Sequence, residues 1–345
     1  MVRKYPKNSV PKNPDSCSIP KISVVITTYN QENLIRQTVD SVLMQVTDFD
    51  YEIVIGEDAS SDRTREIVVE LARQYPDKIR VLLRDPEVAN RERHLFGKMN
   101  YLQALQSCRG EYIAILDGDD YFTSPHKLQK QVDFLNARPD CIMCFHNVTA
   151  VYEDGSQESK NLCPDDQKDI TDIEQLLWGN FIPSCSLMYR REPAVQIPNW
   201  FFTAKVGDWP LNIFRAQHGK IGYLNEVMSA YRVHSAGVWS ARKRSHQLLT
   251  TIKLLDNIDR ELDFEYRGTV RRAKTRCFFE LAEIYLHLGH SRFALIPVQR
   301  GLWASRGRHK GIVSLWLRLQ TPNLYRAFTT FRNFTLRSGT KPQTP

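Results

Sequence analysis

The stretch whose reading decides the fold is Glu111–Phe122, EYIAILDGDDYF. Tyr112 to Leu116 form an apolar run with the composition of a buried strand. It runs straight into Asp117, Asp119 and Asp120, with only Gly118 between them. Carboxylates that close repel one another, and each must stay hydrated or meet a cation. The run therefore predicts half of a site, completed by something positive that the chain does not itself carry.

Working outward, the same pattern recurs. Lys21–Asn30, KISVVITTYN, is a β-branched run ending in polar residues, and Leu34, Ile35, Thr38, Val42 and Leu43 follow at helical spacing. YEIVIGEDASSDRT repeats it, with a strand to Ile55, an acidic turn and a helix through REIVVELARQY. KIRVLL is a third strand, and HLFGKMNYLQALQSC reads as a helix before EYIAIL. Strands alternating with helices predict an α/β chain with a mostly parallel sheet, whose ligands sit at the carboxyl ends of the strands. Thr28-Tyr29-Asn30, Glu57-Asp58 and Asp117–Asp120 then share one sheet edge.

Beyond them, CIMCFHNVTAVY reads as a strand, FIPSCSLMYR as another, and ITDIEQLLWGN as a short helix opened by Thr171 with Glu174 three residues on. From about Ala241 the periodicity is helical. The expected organisation is a disordered leader over 1–20, a catalytic domain over 21–240 and a basic helical region over 241–345. FFELAEIYLHLGHSRFAL resembles one tetratricopeptide-type helix-turn-helix unit, but one unit makes no array.

The bulk numbers narrow the class. The 345 residues suffice for one large α/β domain and a smaller unit. Seven irregularly spaced cysteines suit reduced thiols, the N-terminal stretch lacks a secretory apolar core, and no apolar run is long enough to cross a bilayer. A cytoplasmic protein is expected. Cys141, Cys144 and His146 have partial zinc spacing, but no second pair follows and their neighbours are apolar, so a buried strand is favoured.

The net charge of +8 lies in the tail: no Asp or Glu follows Glu283, whereas Arg292, Arg300, Arg306, Arg308, Lys310, Arg318, Arg326, Arg332, Arg337 and Lys341 do. Ile312, Leu315, Trp316 and Leu319, continued by Leu324, Phe328 and Phe331, fall at helical spacing. Two readings stand side by side. The stripe lies on anionic membrane, making the chain peripheral on the inner face of the plasma membrane, or it packs on the catalytic domain with a solvated basic face. No binding motif accompanies the charge, so nucleic acid is not expected.

An Asp-x-Asp turn after a buried strand suits Mg²⁺ or Mn²⁺, which prefer carboxylate oxygen and leave positions for phosphates. SVVITTYN, EDASSD, GEYIAILDGDDYF and GDWPL…YRVHSAGVWS, in that order over residues 21–240, resemble a family 2 glycosyltransferase of the GT-A fold. GDDYF followed by SPHKLQKQVDFL is most similar to bacterial enzymes of capsule and O-antigen synthesis.

The resemblance implies an inverting, metal-dependent transferase that takes a nucleotide-diphosphate sugar, usually UDP-linked with dTDP and GDP open, to a glycan or lipid-linked glycan hydroxyl. It matches Thr27, Tyr29 and Asn30 to the nucleobase motif, and Asp58 to the residue reading the base. Asp117 matches the ribose side and Asp119 the metal, with Asp120 beside the donor sugar. His234 matches a residue on the metal or diphosphate, with Arg232 on a phosphate. Phe122 stands where relatives often carry tryptophan, and with Trp209 it is a candidate sugar platform. Asp208, in KVGDWPL, matches the base that deprotonates the acceptor. Without the other motifs, Asp208 would read as a helix N-cap. Two other functions remain: a nucleotidyltransferase, for which SVVITTYN offers no Gly-rich phosphate loop, and a catalytically silent nucleotide-sugar-binding scaffold.

Overall fold

A computed structural model describes residues 19–320 except 96, 153–154, 156 and 235–241. The expected leader (to residue 18), the GVWS segment and the stripe from Leu324 onward lie outside the described residues. The chain divides into two compact units, Met1–Ala241 and Arg242–Pro345.

The first unit carries strands β1 (Ile22–Thr28), β2 (Tyr51–Glu57), β3 (Ile79–Leu83), β4 (Tyr112–Asp117), β5 (Tyr121–Phe122), β6 (Cys141–Tyr152), β7 (Lys160–Asn161), β8 (Ile170–Thr171), β9 (Met188–Arg190) and β10 (Lys220–Val233). Its helices are α1 (Ile35–Leu43), α2 (Thr64–Gln74), α3 (Pro86–Arg91), α4 (Lys98–Gln106), α5 (Lys127–Ala137), α6 (Ile173–Trp178) and α7 (Asp208–Ala216). One ten-stranded sheet runs β3-β2-β1-β4-β9-β6-β10-β5, with β7 on β6 and β8 on β10. Neighbours from β3 to β4 are parallel, β9 is antiparallel to both its neighbours, and β6 and β10 are parallel again. Ile22, Val24 and Ile26 of β1 pack in one core with Ile35, Val39 and Val42 of α1, Val68 and Leu71 of α2, and Leu128, Val132 and Leu135 of α5. Burying strands on both faces explains why they read as continuous apolar runs.

The structure departs from the expectation at particular places. Asp172, not Thr171, caps α6: its side chain accepts from Glu174 N and Gln175 N, and Gln175 returns the bond to complete the box. Thr171 is already committed to β8, paired with Ile221. The segment read as FIPSCSLMYR is a strand only over Met188–Arg190, because Ser184–Ser186 form a 3-10 turn after Pro183. β10 has no clean alternation in sequence, since its register shifts between Leu224 and Val227 and leaves Asn225 and Glu226 exposed. α3 escapes notice because it is short, although Asp85 as cap and Pro86 at the first turn announce it.

The second unit is helical among its described residues: α8 (Arg244–Glu261), α9 (Arg267–His287), α10 (Ser291–Ser305) and α11 (Lys310–Gln320). Gly289, with φ +76°, ends α9: its N–H and that of His290 return to Leu286 and Tyr285, and a side chain at this φ would be strained. Leu248, Ile252, Phe278, Leu281, Val298 and Ile312 form the core, with Leu315 and Leu319 packed against it. Ile312, Leu315 and Leu319 of the expected membrane stripe are therefore turned inward onto α8–α10, while Trp316 stays 37% exposed.

Candidate active site

The site begins as a consequence of register. β1 pairs with β2 on one side and β4 on the other, so Thr27 stands level with Gly56 and with Asp117. Three loops leave the same sheet edge together. The Thr27 hydroxyl donates to Asp117 Oδ1 at 3.3 Å.

The acidic turn is held from several directions. Gly118 N donates to Thr27 O at 2.9 Å and Asp120 N to Asp117 O at 3.0 Å. The Thr38 hydroxyl of α1 lies 2.9 Å from Gly118 O and 2.8 Å from Asp120 O. A β-carbon on Gly118 would stand 2.9 Å from Thr28 Oγ1, so the close approach of β1 leaves no room for one. From β10, Arg232 N donates to Asp120 Oδ1 at 2.9 Å, while the Arg232 guanidinium donates to the Asp119 carbonyl and to Gln37 Oε1. This guanidinium also lies over the Tyr121 ring, 4.5 Å from its centroid.

These contacts revise two expectations. Asp120, expected on the donor sugar, is fully buried and ties β10 to the turn. Burial and the neighbouring Asp119 and Asp117 push its carboxyl well above the usual range, and Oδ2 has no hydrogen-bond partner. Arg232, expected on a phosphate, spends its guanidinium within the protein, bracing the turn. The outward groups are Asp117 and Asp119, both partly buried. Burial first, then the charges of Asp119 and Asp208, push Asp117 up to about 7. His234 Nε2 lies 2.9 Å from Asp119 Oδ2.

Asp208 comes from far along the chain. It is the first residue of α7, and Gly207 rather than Asp208 occupies the cap position. Burial raises its pKa, opposed by the Trp209 backbone and the Asn180 side chain. Asn180 Nδ2 donates to Asp208 Oδ2 at 3.0 Å. Lys98 anchors the preceding segment through the Ala204 carbonyl, and burial pulls its ammonium down to about 8. The two aromatic platforms do not survive. Trp209 is 5% exposed with its indole N–H on Leu176 O at 2.8 Å, and Phe122 is 2% exposed with Lys127 Nζ 4.1 Å from its ring centre. Neither offers an open face for a sugar.

On the β2 side, Asp58 is buried and its Oδ1 accepts from Arg84 Nη1 at 2.5 Å. Burial still raises its carboxyl, against Arg84 and Arg93. Tyr29 is exposed, and the Arg93 guanidinium covers its ring at 3.9 Å. Asn30, at φ 52°, accepts Ser61 N through Oδ1 at 2.8 Å and donates its own N–H to Ser60 Oγ at 3.0 Å. Tyr29 and Asp58 thus lie on loops leaving adjacent strands, joined by Asn30.

The chain matches the model of Glycosyl transferase family 2 over residues 23–196. It belongs to that family. An uncharacterized protein of Mycobacterium tuberculosis is 38% identical over 286 residues, covering 83% of this glycosyltransferase and 74% of the relative. TuaG of Bacillus subtilis, named for teichuronic acid biosynthesis, is 28% identical over 232 residues, covering 66% and 86% of the two chains. The crystal structure of S. aureus TarS superposes with a TM-score of 0.53 at 18% identity, covering 89% of this chain and 53% of that one. The glycosyltransferase therefore has the GT-A fold.

Sequence reasoning missed Asn180, Arg84, Arg93, Gln37 and Lys98. Arg84 follows β3 directly, so the sheet-edge rule could have found it. Asn180 and Gln37 carry no local signal, because their roles exist only once distant elements meet.

Proposed function

We propose that this glycosyltransferase moves a sugar from a UDP-linked nucleotide sugar to a glycan hydroxyl with inversion at C1, Asp208 acting as base. The observation that supports the reading is Asp208 at the first turn of α7, partly buried, with its Oδ2 held by Asn180 at 3.0 Å. A carboxylate fixed in this way suits a base, which transfer requires and a nucleotide sensor does not.

In this reading the acceptor hydroxyl gives its proton to Asp208 as its oxygen bonds to C1. The C1–oxygen bond to the diphosphate breaks on the opposite side and the electron pair leaves with the phosphate. Burial suits the base, because a carboxyl held above its ordinary range takes a proton more readily. Asn180 holds the carboxylate through Oδ2. The negative charge of Asp208 also stabilises the oxocarbenium character of the transition state. Tyr29 offers a face for the nucleobase, and the Asp58 carboxylate an acceptor for a ring N–H.

The carboxylates of Asp117 and Asp119 are hard donors that suit Mg²⁺ or Mn²⁺, with the imidazole of His234 a borderline donor beside them, and the mutual repulsion of the two carboxylates favours a cation there. Among the described residues no three such side chains close on one point. When bound, the ion would offset the charge of the departing diphosphate. A surface-polysaccharide acceptor is supported by the relative named for teichuronic acid biosynthesis.

The test is calorimetric titration of UDP, dTDP and GDP with Mn²⁺ and then with EDTA, followed by transfer assays. Metal-dependent binding of UDP, lost in Asp119→Ala, and an Asp208→Asn enzyme that binds UDP without transferring are expected. Undiminished transfer by Asp208→Asn would overturn the assignment of the base.

A further inference from the structure

Most of the apolar stripe expected to meet a membrane packs inward, with Trp316 left 37% exposed, and a second face of the same unit is more open. Along α10, Arg292, Phe293, Ile296, Gln299, Arg300 and Trp303 are exposed. At ~100° per residue they occupy an arc of about 120°. Ala294, Val298, Gly301 and Ala304, on the other side of the helix, are buried. The three large apolar side chains of the exposed arc are 59%, 55% and 73% open to water at Phe293, Ile296 and Trp303. Phe293 is seated by ring contacts with His290 at 5.8 Å and Tyr285 at 6.1 Å. The guanidinium of Arg271, on α9, lies 6.0 Å from the Trp303 ring centre.

Charge identifies the occupant. No acidic residue follows Glu283 in the sequence, so α10 and α11 present only positive charge. On α9, Glu280 is already paired with Arg244 at 2.6 Å. An apolar face with tryptophan and phenylalanine among arginines is matched by a surface that is oily beneath and anionic on top. A second copy fits worse, because a two-fold contact would gather Arg292 and Arg300 of both copies in one interface to which α10 and α11 bring no acidic side chain.

We propose that this face of α10 is where the chain lies on an anionic lipid bilayer. Phe293, Ile296 and Trp303 enter the boundary between headgroups and acyl chains, and Arg292 and Arg300 meet lipid phosphates. The attachment is peripheral, since no described helix is long and apolar enough to cross a membrane. It rests on α10 alone and is independent of the role given to Asp208.

The test is sedimentation of the full chain with vesicles of phosphatidylcholine alone or mixed with phosphatidylglycerol. Binding to the mixed vesicles, weakened by salt, and little binding to phosphatidylcholine are expected. Phe293→Ser/Ile296→Ser/Trp303→Ser and Arg292→Gln/Arg300→Gln should each lower the partition coefficient at least tenfold, with UDP binding retained as the check of folding. No binding to anionic vesicles would overturn the proposal. So would binding that both variants keep, which would move the contact elsewhere in the chain. A self-association that the triple variant abolishes, without vesicle binding, would give the face to a second copy instead.

Discussion

Asn180 donates its side-chain amide to Oδ2 of Asp208 at 3.0 Å, while its own Oδ1 accepts from Ile182 N at 3.4 Å. The second contact fixes the first, because an amide turned the other way would set two oxygens face to face. Replacing Asn180 by Ala leaves Asp208 in place and frees its rotation. Turnover is expected to fall about tenfold, or ~1.4 kcal/mol of barrier, with UDP affinity unchanged. Initial rates beside calorimetry check the split. Asp208→Asn should abolish transfer in the same assay.

Asp117 gives the pH dependence its sign. Its carboxyl is pushed up to about 7 in the folded chain, so the fold holds a proton that the unfolded chain releases earlier. The stabilisation is fully present below the unfolded carboxylate value and is lost as pH rises through about 7. Thermal melts of the metal-free protein should therefore fall over that window, and Asp117→Asn should flatten the fall. A profile identical in both proteins would remove Asp117 as its origin.

Arg84 and Asp58 form an ion pair with side chains only 4% and 8% exposed. Deleting one partner of a buried pair strands the other charge, at a cost of about 3–5 kcal/mol. Arg84→Met should be destabilised towards the lower figure, since Asp58 can take up a proton. Adding Asp58→Asn should recover part of the loss in urea titrations, a coupling that separate effects would not produce.

The Arg232 guanidinium spans the Asp119 carbonyl and Gln37, a reach that a single ammonium cannot copy. Arg232→Lys keeps the charge and loses the fork. Metal-dependent UDP affinity should drop about tenfold while the melting temperature moves little. Unchanged affinity would mean that the turn holds its shape without the brace.

The sequence by itself determined the strand-helix alternation, the sheet edge and the residues gathered there from β1, β2 and β4. Those features follow from local apolar runs and from the rule that places ligands at the carboxyl ends of parallel strands. Tertiary structure decided which polar groups face outward. Asp120 and Asp119 are adjacent in sequence, yet one is buried against β10 and the other meets His234. Trp209 and Phe122 have aromatic faces in any reading, but packing used them. The apolar stripe at Ile312 turned inward while that of α10 was left open, because helical spacing defines a stripe without saying which neighbour will cover it. β10 lay hidden for a related reason, its bulges making sense only beside β6. Periodicity is written in adjacent residues. Orientation at a site is set by contacts between elements a hundred residues apart, such as Arg232 on the backbone of Asp119.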